Sequence, residues 1–500
     1  MLFSSVIFLF FFLPIVLTFY FLPSKDWRNG FFLAASLAFY AFTEGAFVLV
    51  LLGSIAGNYL FGLWLEYARS GLACPDGAKR ARPQARGMLA SRRIALASGI
   101  CFNLGLLCIF KYTNFLIANL NAVLTDGGGA VVSLGTLYAP VGISFFTFHA
   151  ISYLVDVSRN DAPVLKNPFL LAVYMAAFPK ILAGPITLYR NAAGELASRI
   201  VTGDAFLYGI ERFITGLAKK ILIANPLSGI ADAAFGVQGA NIDMPSAWVG
   251  IICYTLQIYF DFSGYSDMAI GLGRMFGFTF PENFNYPYIS ESVREFWQRW
   301  HISLSTWFRD YLYIPLGGNR RAPARVYANL IVVFLLCGLW HGASWNFVVW
   351  GCWYGLFLSL ERTGFGKLLR SVGRPVRHLY LLMVVIVGWV FFRADSLSHA
   401  VAYLGAMFDP REAAGSARHF ALVYNNELFA LFPLAVALCL PLSAYVRNLC
   451  FSSRRGQDES RGDLPRYASA AYAALLGFFF LLSCMCLAGG THKAFIYFKF

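Results

Sequence analysis

The sequence predicts an all-α polytopic membrane protein with roughly ten to twelve spanning helices, and its composition and its pattern of apolar segments lead to this prediction. Hydrophobic residues make up 58% of the 500 positions and charged residues 13%, whereas a soluble protein needs a charged exterior to cover its core. Many segments also approach the ~20 apolar residues that a spanning helix requires. Because no stretch has the composition of a soluble domain, residues 1–500 are expected to form a single membrane domain.

The apolar segments follow one another from the first residues onward. Residues 3–22 have no basic region before them and no small-residue cleavage site after them, so they are expected to be a retained span rather than a signal peptide. Further spans are expected at residues 31–42, 47–65, 94–110, 137–155, 169–186, 206–224, 247–272, 330–341, 347–360, 379–392, 428–445 and 467–486.

The basic residues behind the net charge of +14 are concentrated in loops between the apolar segments. Such loops face the cytoplasm under the positive-inside rule, and attraction to anionic membrane lipid explains the charge without any nucleic acid. With these loops inside, the order of the spans places the N-terminus outside. The two loops are residues 66–93, with Arg69, Lys79, Arg80, Arg82, Arg86, Arg92 and Arg93, and residues 447–466, with Arg447, Arg454, Arg455, Arg461 and Arg466.

The segment 281–326 interrupts this pattern, because it is polar, aromatic and basic between two apolar segments. Its apolar residues recur with the spacing of one helix face, which predicts an amphipathic rather than a spanning helix. Such a helix lies in the membrane interface, or it forms a re-entrant element that lines a water-filled cavity. The spacing by itself slightly favours the interfacial helix. The apolar face comprises Val293, Phe296, Trp297, Trp300, Leu304, Trp307, Phe308 and Tyr311.

Two of the seven histidines are candidates for chemistry. His341 ends an apolar segment, where an ionisable group is costly to bury, and Gly338 and Gly342 permit close approach of a substrate or of another backbone segment. His301 falls on the apolar face of the amphipathic segment, where an imidazole needs a partner. Two histidines lining one cavity would supply a general base and an orienting or oxyanion-stabilising group. The alternative is that both are hydrogen-bonded structural residues, as we expect for His149.

Asp261 and Asp267 place two carboxylates inside another apolar segment. Intramembrane aspartates meet partners within the helix bundle, so we interpret both as hydrogen-bonded struts. An ion pathway that also uses Lys180 is the alternative, and it would suit a transporter or flippase for a polysaccharide. Arg393 is a similar charge at a segment boundary, and the sequence does not reveal its partner.

The motifs of several enzyme classes are missing from the sequence. It has no GxSxG elbow, no P-loop, no GxGxxG and no paired CxxC motifs of the zinc-site type, so no metal site is expected. The chemistry that remains is histidine acid–base catalysis in a membrane cavity, and acyl transfer suits it. In that reaction a histidine takes the proton of an acceptor hydroxyl, whose oxygen attacks a thioester brought from the cytosol.

A set of motifs spread from the first residues to about residue 400 resembles the membrane-bound O-acyltransferase family, most closely its bacterial branch that O-acetylates alginate. The set is specific as a whole, although each motif alone would be weak. The motifs are MLFSSVIFLFFFLP (1–14), KYTNF (111–115), PVGISFFTFHAISYLVD (140–156), FPKILAGPI (178–186), YFDFSGYSDMAIGLG (259–273), ENFNYPYIS (282–290), FWQRWHISLSTWFRDYLYIPLGGNR (296–320), GLWHGASW (338–345) and FFRADS (391–396).

The resemblance implies a fold, a reaction and a set of partners. The family's catalytic histidine corresponds to His341, and the upstream histidine of its WHISLSTW stretch to His301. The implied fold is a ring of tilted helices around a thinned centre, with a tunnel from a cytoplasmic donor side to an outward acceptor side, and the segment 281–326 would belong to that centre. The implied donor is acetyl-coenzyme A, with no bound cofactor. The implied partners are periplasmic acetyltransferase proteins of an exopolysaccharide acetylation complex in the bacterial inner membrane.

Residues near the two histidines are candidates for lining that cavity. Other branches of the family, which acetylate cellulose or peptidoglycan or transfer D-alanine to teichoic acid, stay open as alternatives for the acceptor. A transporter and a scaffold with structural histidines also stay open. The candidate lining residues are Asp261, Asp267, Trp300, Ser305, Arg309, Asp310, Trp340, Trp345 and Asn346.

Overall fold

The computed structural model describes residues 1–22, 27–70, 82–126, 131–133, 135–237, 242–410, 426–442 and 466–490. The described residues are predominantly helical and contain no β-strand longer than one isolated bridge, between Phe284 and Trp300. The all-α prediction is therefore confirmed. Contacts between Cα atoms divide the chain into two compact units.

The first unit comprises residues 1–210, 269–281 and 309–311. Its core is rich in phenylalanine, and the ring of Phe178 contacts the rings of Phe12, Phe32, Phe39 and Phe276 at centroid distances between 5.4 and 5.6 Å. Its helices are α1 (Leu13–Phe21), α2 (Arg28–Glu44), α3 (Val48–Ser70), α4 (Arg82–Leu107), α5 (Thr113–Asp126), α6 (Ile143–Arg159), α7 (Pro168–Ala176), α8 (Phe178–Ile181) and α9 (Tyr189–Ala197).

The second unit comprises residues 211–268, 282–308 and 312–500. The helices α10 (Gly203–Ala218) and α12 (Met244–Met275) contribute residues to both units. The other helices of the second unit are α11 (Asn225–Phe235), α13 (Val293–Arg299), α14 (Ile302–Phe308), α15 (Pro323–His341), α16 (Trp345–Leu360), α17 (Gly364–Ser371), α18 (Arg374–Arg393), α19 (Leu397–Phe408), α20 (Asn426–Leu438) and α21 (Arg466–Ala488).

Five helical stretches among the described residues are long and apolar enough to cross a membrane. The exact number of spans, for which the sequence predicts roughly ten to twelve, stays a prediction. The five stretches are Arg28–Arg69, Gly87–Asp126, Pro323–His341, Arg374–Arg393 and Ala470–Ala488, and shorter apolar helices lie at Phe8–Phe21, Leu397–Phe408 and Leu428–Leu438.

The described part of the first basic loop is shorter than the sequence suggested. Residues 71–81 lie outside the described residues, but α3 continues to Ser70 and α4 begins at Arg82. Alanine, arginine and leucine are good helix formers, which explains why the residues after Arg82 extend the helix rather than the loop. Of the second basic loop, residues 447–465 lie outside the described residues.

The segment 169–186, expected as one span, is broken in two. The break between α7 and α8 falls at Ala177, whose ψ of 113° is not helical. The cause is Pro179, since proline has no N–H to donate to the carbonyl one turn earlier.

The amphipathic helix expected in the segment 281–326 is also two helices, α13 and α14, and this corrects the single-helix prediction. The break lies at His301, whose φ of +44° is in the left-handed region. Asn283 explains the break. Its carbonyl oxygen accepts from the Ile302 N–H at 3.0 Å and its Oδ1 accepts from the Ser303 N–H at 3.2 Å. A residue outside the helix thus satisfies the first N–H groups of α14.

Glycines let α15 and α16 pack backbone to backbone. A Cβ atom on Gly338 would lie 2.1 Å from the carbonyl oxygen of Phe347, and one on Gly351 would lie 2.4 Å from that of Phe334. Neither position has room for a side chain. This close pair fixes the end of α15, where His341 is the last helical residue.

Candidate active site

His341 lies in an aromatic cage formed by α15, α16 and α18 of the second unit. The residue is 5% exposed. Its imidazole contacts Trp340, Trp350 and Phe392 at centroid distances of 4.8, 5.0 and 5.2 Å, each approximately edge to face. These three rings and the low exposure limit the contact of the imidazole with bulk water.

His301 reaches the same cage. Its ring centroid is 6.2 Å from that of Trp340, the indole that also contacts His341. Although the two histidines are forty positions apart in the sequence, the structure brings both imidazoles against one side chain. The fold therefore supplies what the histidine hypothesis requires, two imidazoles in one cluster.

Polar side chains hold the His301 imidazole from the other side. His301 is fully buried, and its Nδ1 lies 3.0 Å from Asn283 Oδ1. Asn283 Nδ2 donates in turn to Ser266 Oγ at 3.1 Å. The face of Phe262 packs against the imidazole at 4.6 Å between centroids. Burial lowers the pKa of His301 to about 3, so this imidazole is neutral at ordinary pH.

Four other candidate lining residues lie in the second unit with differing roles. Trp300 is buried in aromatic packing, with the Trp389 ring at 4.9 Å, and Ser305 donates its N–H to the carbonyl oxygen of His301 at 3.1 Å. Asn346 is buried and donates through Nδ2 to the Ala394 carbonyl oxygen at 2.6 Å, which ties α16 to the end of α18. Trp345, the first residue of α16, is 53% exposed.

Asp261 and Asp267 both meet cations within the second unit. Lys220 Nζ lies 2.5 Å from Asp261 Oδ1. Asp267 pairs with Lys219 at 2.6 Å and with Arg212 at 2.7 Å. Both lysines come from a π-helical turn, Lys219–Ala224, which follows α10. Ion pairs of this kind are what we expect if the two aspartates are structural struts. They compensate the carboxylate charges, which an ion pathway would need to keep accessible to the moving ion.

Arg309 and Asp310 belong to the first unit, unlike the two histidines. Asp310 pairs there with Arg309 at 2.6 Å and with Arg190 at 2.5 Å. The neighbouring Tyr311 donates to the buried carboxylate of Asp156 at 2.7 Å. These residues form a polar network within the first unit.

The remaining ionisable residues named from the sequence contact neighbouring side chains, although neither ring nitrogen of His149 has a hydrogen-bond partner among the described residues. In the first unit the His149 ring contacts Tyr174 at 5.5 Å, and Lys180 Nζ lies 4.1 Å above the same tyrosine ring. In the second unit Arg393 pairs with Asp232 at 2.7 Å. Among the described residues, no group of three or more His, Cys, Asp or Glu side chains could hold a metal ion.

Sequence reasoning missed two kinds of site residue. Asn283, which contacts the His301 imidazole, and Ser303, which donates to Asn283, carry no pattern that marks them as site residues. Trp350 and Phe392, which complete the cage of His341, look like any aromatic residue in a spanning helix. The available signal for Asn283 was its position in the polar ENFNYPYIS motif, directly before the amphipathic segment.

The class of protein follows from a comparison with known families. Residues 134–398 match the model of the membrane-bound O-acyltransferase family, and this range contains both candidate histidines, His301 and His341. The chain belongs to that family, and it is therefore a membrane-bound O-acyltransferase.

Individual relatives place the chain more finely within the family. It is 39% identical, over all of both chains, to a Pseudomonas putida protein named "Probable alginate O-acetylase AlgI". An Azotobacter vinelandii protein of the same name is 45% identical over 82% of this chain and 78% of its own length. A Helicobacter pylori protein named peptidoglycan O-acetyltransferase is 34% identical over 81% of this chain and 80% of its own length. These relatives confirm the family and the enzyme class.

Proposed function

We propose that the protein moves acetyl groups from a cytoplasmic thioester, acetyl-coenzyme A, through the bacterial inner membrane for O-acetylation of an exopolysaccharide. Alginate is the proposed polymer, because the relatives with the highest identities quoted above are named for it. Periplasmic acetyltransferase proteins are the proposed partners that receive the acetyl group. The observation that carries the proposal is the pair of buried imidazoles around Trp340 in a chain of an O-acyltransferase family.

In the proposed reaction His341 is the general base. Its imidazole takes the proton from an acceptor hydroxyl while the hydroxyl oxygen forms a bond to the thioester carbonyl carbon. The C–S bond then breaks, and the departing thiolate receives the proton from the imidazolium. The products are an ester and a free thiol, and no covalent enzyme intermediate is needed because a thiolate leaves readily.

The surroundings of His341 support this role. Trp340, Trp350 and Phe392 surround the His341 imidazole and supply no acidic or basic group that would compete for the transferred proton. The aromatic walls also limit access of water, which would otherwise compete with the acceptor hydroxyl for the thioester. His301, held in the same cluster, is the second imidazole that orients a reacting group.

Replacement of His341 tests the proposed base. His341→Ala is expected to lower polymer acetylation by ~10²-fold or more, the usual contribution of a general base, at an unchanged protein level. His399→Ala is the matched control, since His399 lies near the start of α19 and contacts Phe235 and Tyr403 rather than the cage. Wild-type acetylation in His341→Ala would refute the role of His341.

Purified protein in nanodiscs tests the donor. With acetyl-labelled coenzyme A and the proposed partner proteins present, the wild-type protein is expected to release free thiol and to transfer label to an added acceptor, and His341→Ala is expected to do neither. Label on peptidoglycan fragments but not on mannuronate oligosaccharides would overturn alginate in favour of the acceptor named for the Helicobacter pylori relative.

A further inference from the structure

His301 is held by one amide group whose orientation the structure determines. The backbone N–H of Ser303 can only donate, and it lies 3.2 Å from Asn283 Oδ1. This contact requires the oxygen of the amide, rather than its nitrogen, to face His301. The contact on the other side of the amide is consistent with this orientation, because Asn283 Nδ2 then donates to Ser266 Oγ at 3.1 Å.

The orientation of the amide fixes the tautomer of the imidazole. Asn283 Oδ1 is an acceptor and lies 3.0 Å from His301 Nδ1, so Nδ1 must carry the hydrogen. In a neutral imidazole the other nitrogen, Nε2, then has a lone pair and no hydrogen. His301 Nε2 is buried and has no hydrogen-bond partner among the described residues. A buried acceptor of this kind calls for a donor, and the described residues do not provide one.

The charged groups near His301 are engaged with one another. On α12, Asp261 pairs with Lys220, and Asp267 pairs with Lys219 and Arg212. Glu282, directly before Asn283, pairs with the same Arg212. From α15, the titratable neighbour is His341, across the indole of Trp340. None of these groups forms an ion pair with His301 in the part of the chain that the structure describes.

We infer that Asn283 is a positioning residue that holds His301 as the Nδ1–H tautomer, and that His301 Nε2 accepts a hydrogen bond from a second O–H or N–H group of the acyl acceptor, beside the hydroxyl whose proton His341 takes. The inference rests on the proposed function for the identity of that acceptor. It assigns His301 to one of its two possible roles. A nitrogen without a hydrogen cannot donate to an oxyanion, so His301 orients the acyl acceptor through that second group and does not stabilise the tetrahedral intermediate.

Nitrogen NMR on histidine tests the tautomer directly. With ¹⁵N-labelled histidine in nanodiscs, the His301 signals are identified by their loss in His301→Gln. Wild-type protein is expected to show a protonated Nδ1 and an unprotonated Nε2, and Asn283→Leu is expected to lose this pattern. A protonated Nε2 in the wild type would overturn the inference. The spectrum does not depend on turnover, so it tests Asn283 even if the proposed acetyl transfer fails.

The kinetic test compares two replacements of Asn283. Asn283→Leu removes the acceptor that fixes the tautomer, and it is expected to lower kcat on the order of 10²-fold at every pH. Asn283→Asp keeps the acceptor but places a negative charge beside Nδ1–H, which favours the imidazolium and raises the pKa of His301. Its activity is therefore expected to be restored as pH rises and to be lost toward acid pH, where wild-type protein remains active.

Asn329 provides the matched control. It is a buried asparagine of α15 in the same unit, and its Nδ2 donates to the carbonyl oxygen of Leu316 at 3.2 Å. Asn329→Leu and Asn329→Asp are expected to change the amount of folded protein without moving the pH profile of transfer. If the Asn283 and Asn329 variants had the same pH profile as the wild type, Asn283 would have a structural role alone.

Discussion

Lys220 and Asp261 form an ion pair that is almost entirely removed from solvent, with side chains 2% and 4% exposed. Charges in such a place are tolerated because each compensates the other, although replacing both by apolar groups can be neutral or favourable. The pair thus has a clear physical role as a link between α12 and the π-helical turn after α10.

We predict that Lys220→Met lowers the free energy of unfolding by about 3–5 kcal/mol, because it leaves the Asp261 carboxylate without its cation. The double variant Lys220→Met with Asp261→Leu is expected to recover most of that loss. Thermal unfolding in nanodiscs measures both. Arg69→Met, which breaks an exposed pair with Glu66, serves as the control and is expected to cost less than about 1 kcal/mol. Equal losses in Lys220→Met and Arg69→Met would contradict the prediction.

Two buried tyrosines allow a second prediction at this scale. The Tyr354 hydroxyl has no hydrogen-bond partner among the described residues, whereas the Tyr403 hydroxyl donates to the Ala247 carbonyl oxygen at 2.8 Å. Tyr354→Phe is therefore expected to leave the stability unchanged or to raise it, and Tyr403→Phe to lower it by about 1 kcal/mol. The melting temperatures of the two variants test this prediction. A decrease in stability in Tyr354→Phe as large as that in Tyr403→Phe would contradict it.

The sequence was informative for ionisable residues and silent on their amide and aromatic neighbours. His341 was a candidate because an imidazole at the end of an apolar helix is costly. Asn283 was not, because a single asparagine in a polar stretch has many ordinary uses in turns. Its importance comes from contacts with residues 18 and 20 positions later, and contacts at that distance leave no periodic pattern in a sequence.

At the scale of elements, the pair α15 and α16 depends on small residues at its contact. Gly338 faces the backbone of α16, and Gly351 and Gly355 face the backbone of α15. Small residues at helix contacts let backbones approach closely, which supplies packing that apolar lipid cannot. The position of His341 follows from this contact, since it is the last residue of α15.

We predict that Gly351→Ala disturbs the site through the helix contact. Its Cβ would lie 2.4 Å from the Phe334 carbonyl oxygen, so the helices must separate at a cost of about 1–3 kcal/mol. Acyl transfer should fall with the displacement of His341. The control is Gly405→Ala in α19, where nothing lies within 4 Å and the helix should gain up to about 1 kcal/mol. Wild-type stability and activity in Gly351→Ala would refute the prediction.

Helical periodicity located the amphipathic segment but could not show that it breaks. Both halves, α13 and α14, keep the apolar spacing, so the pattern is the same for one helix as for two. The interruption at His301 depends on Asn283, which replaces hydrogen bonds that the helix would otherwise make within itself. By contrast, the break at Ala177 has a local cause, Pro179, which is visible in the sequence itself.

At the scale of the whole molecule, composition predicted the all-α membrane class, and the family match confirmed it. The number of spans was beyond prediction because hydropathy measures the apolar content of a segment and not its path. The expected span 169–186, for example, consists of two short helices whose residues are largely buried. Such elements pack within protein rather than against lipid, where a continuous helix is required.

The predicted orientation can be tested without structural data. Cys74, in the first basic loop and outside the described residues, is expected to face the cytoplasm under the positive-inside rule. A membrane-impermeant thiol reagent should label it in inverted vesicles and not in intact spheroplasts, with Cys74→Ser as the control for other cysteines. Labelling in spheroplasts alone would reverse the proposed direction of acetyl transfer.

The dependence of His301 on Asn283, and of both histidines on Trp340, also concerns the order of biosynthesis. Residues 283, 301 and 340 leave the ribosome in that order, and the cluster of imidazoles is incomplete until α15 has entered the membrane beside α16. Chains fold from the N-terminus as they are made. A nascent chain therefore has no complete pair of histidines until residue 341 has been synthesised, so the proposed site is assembled only after two thirds of the chain have been made.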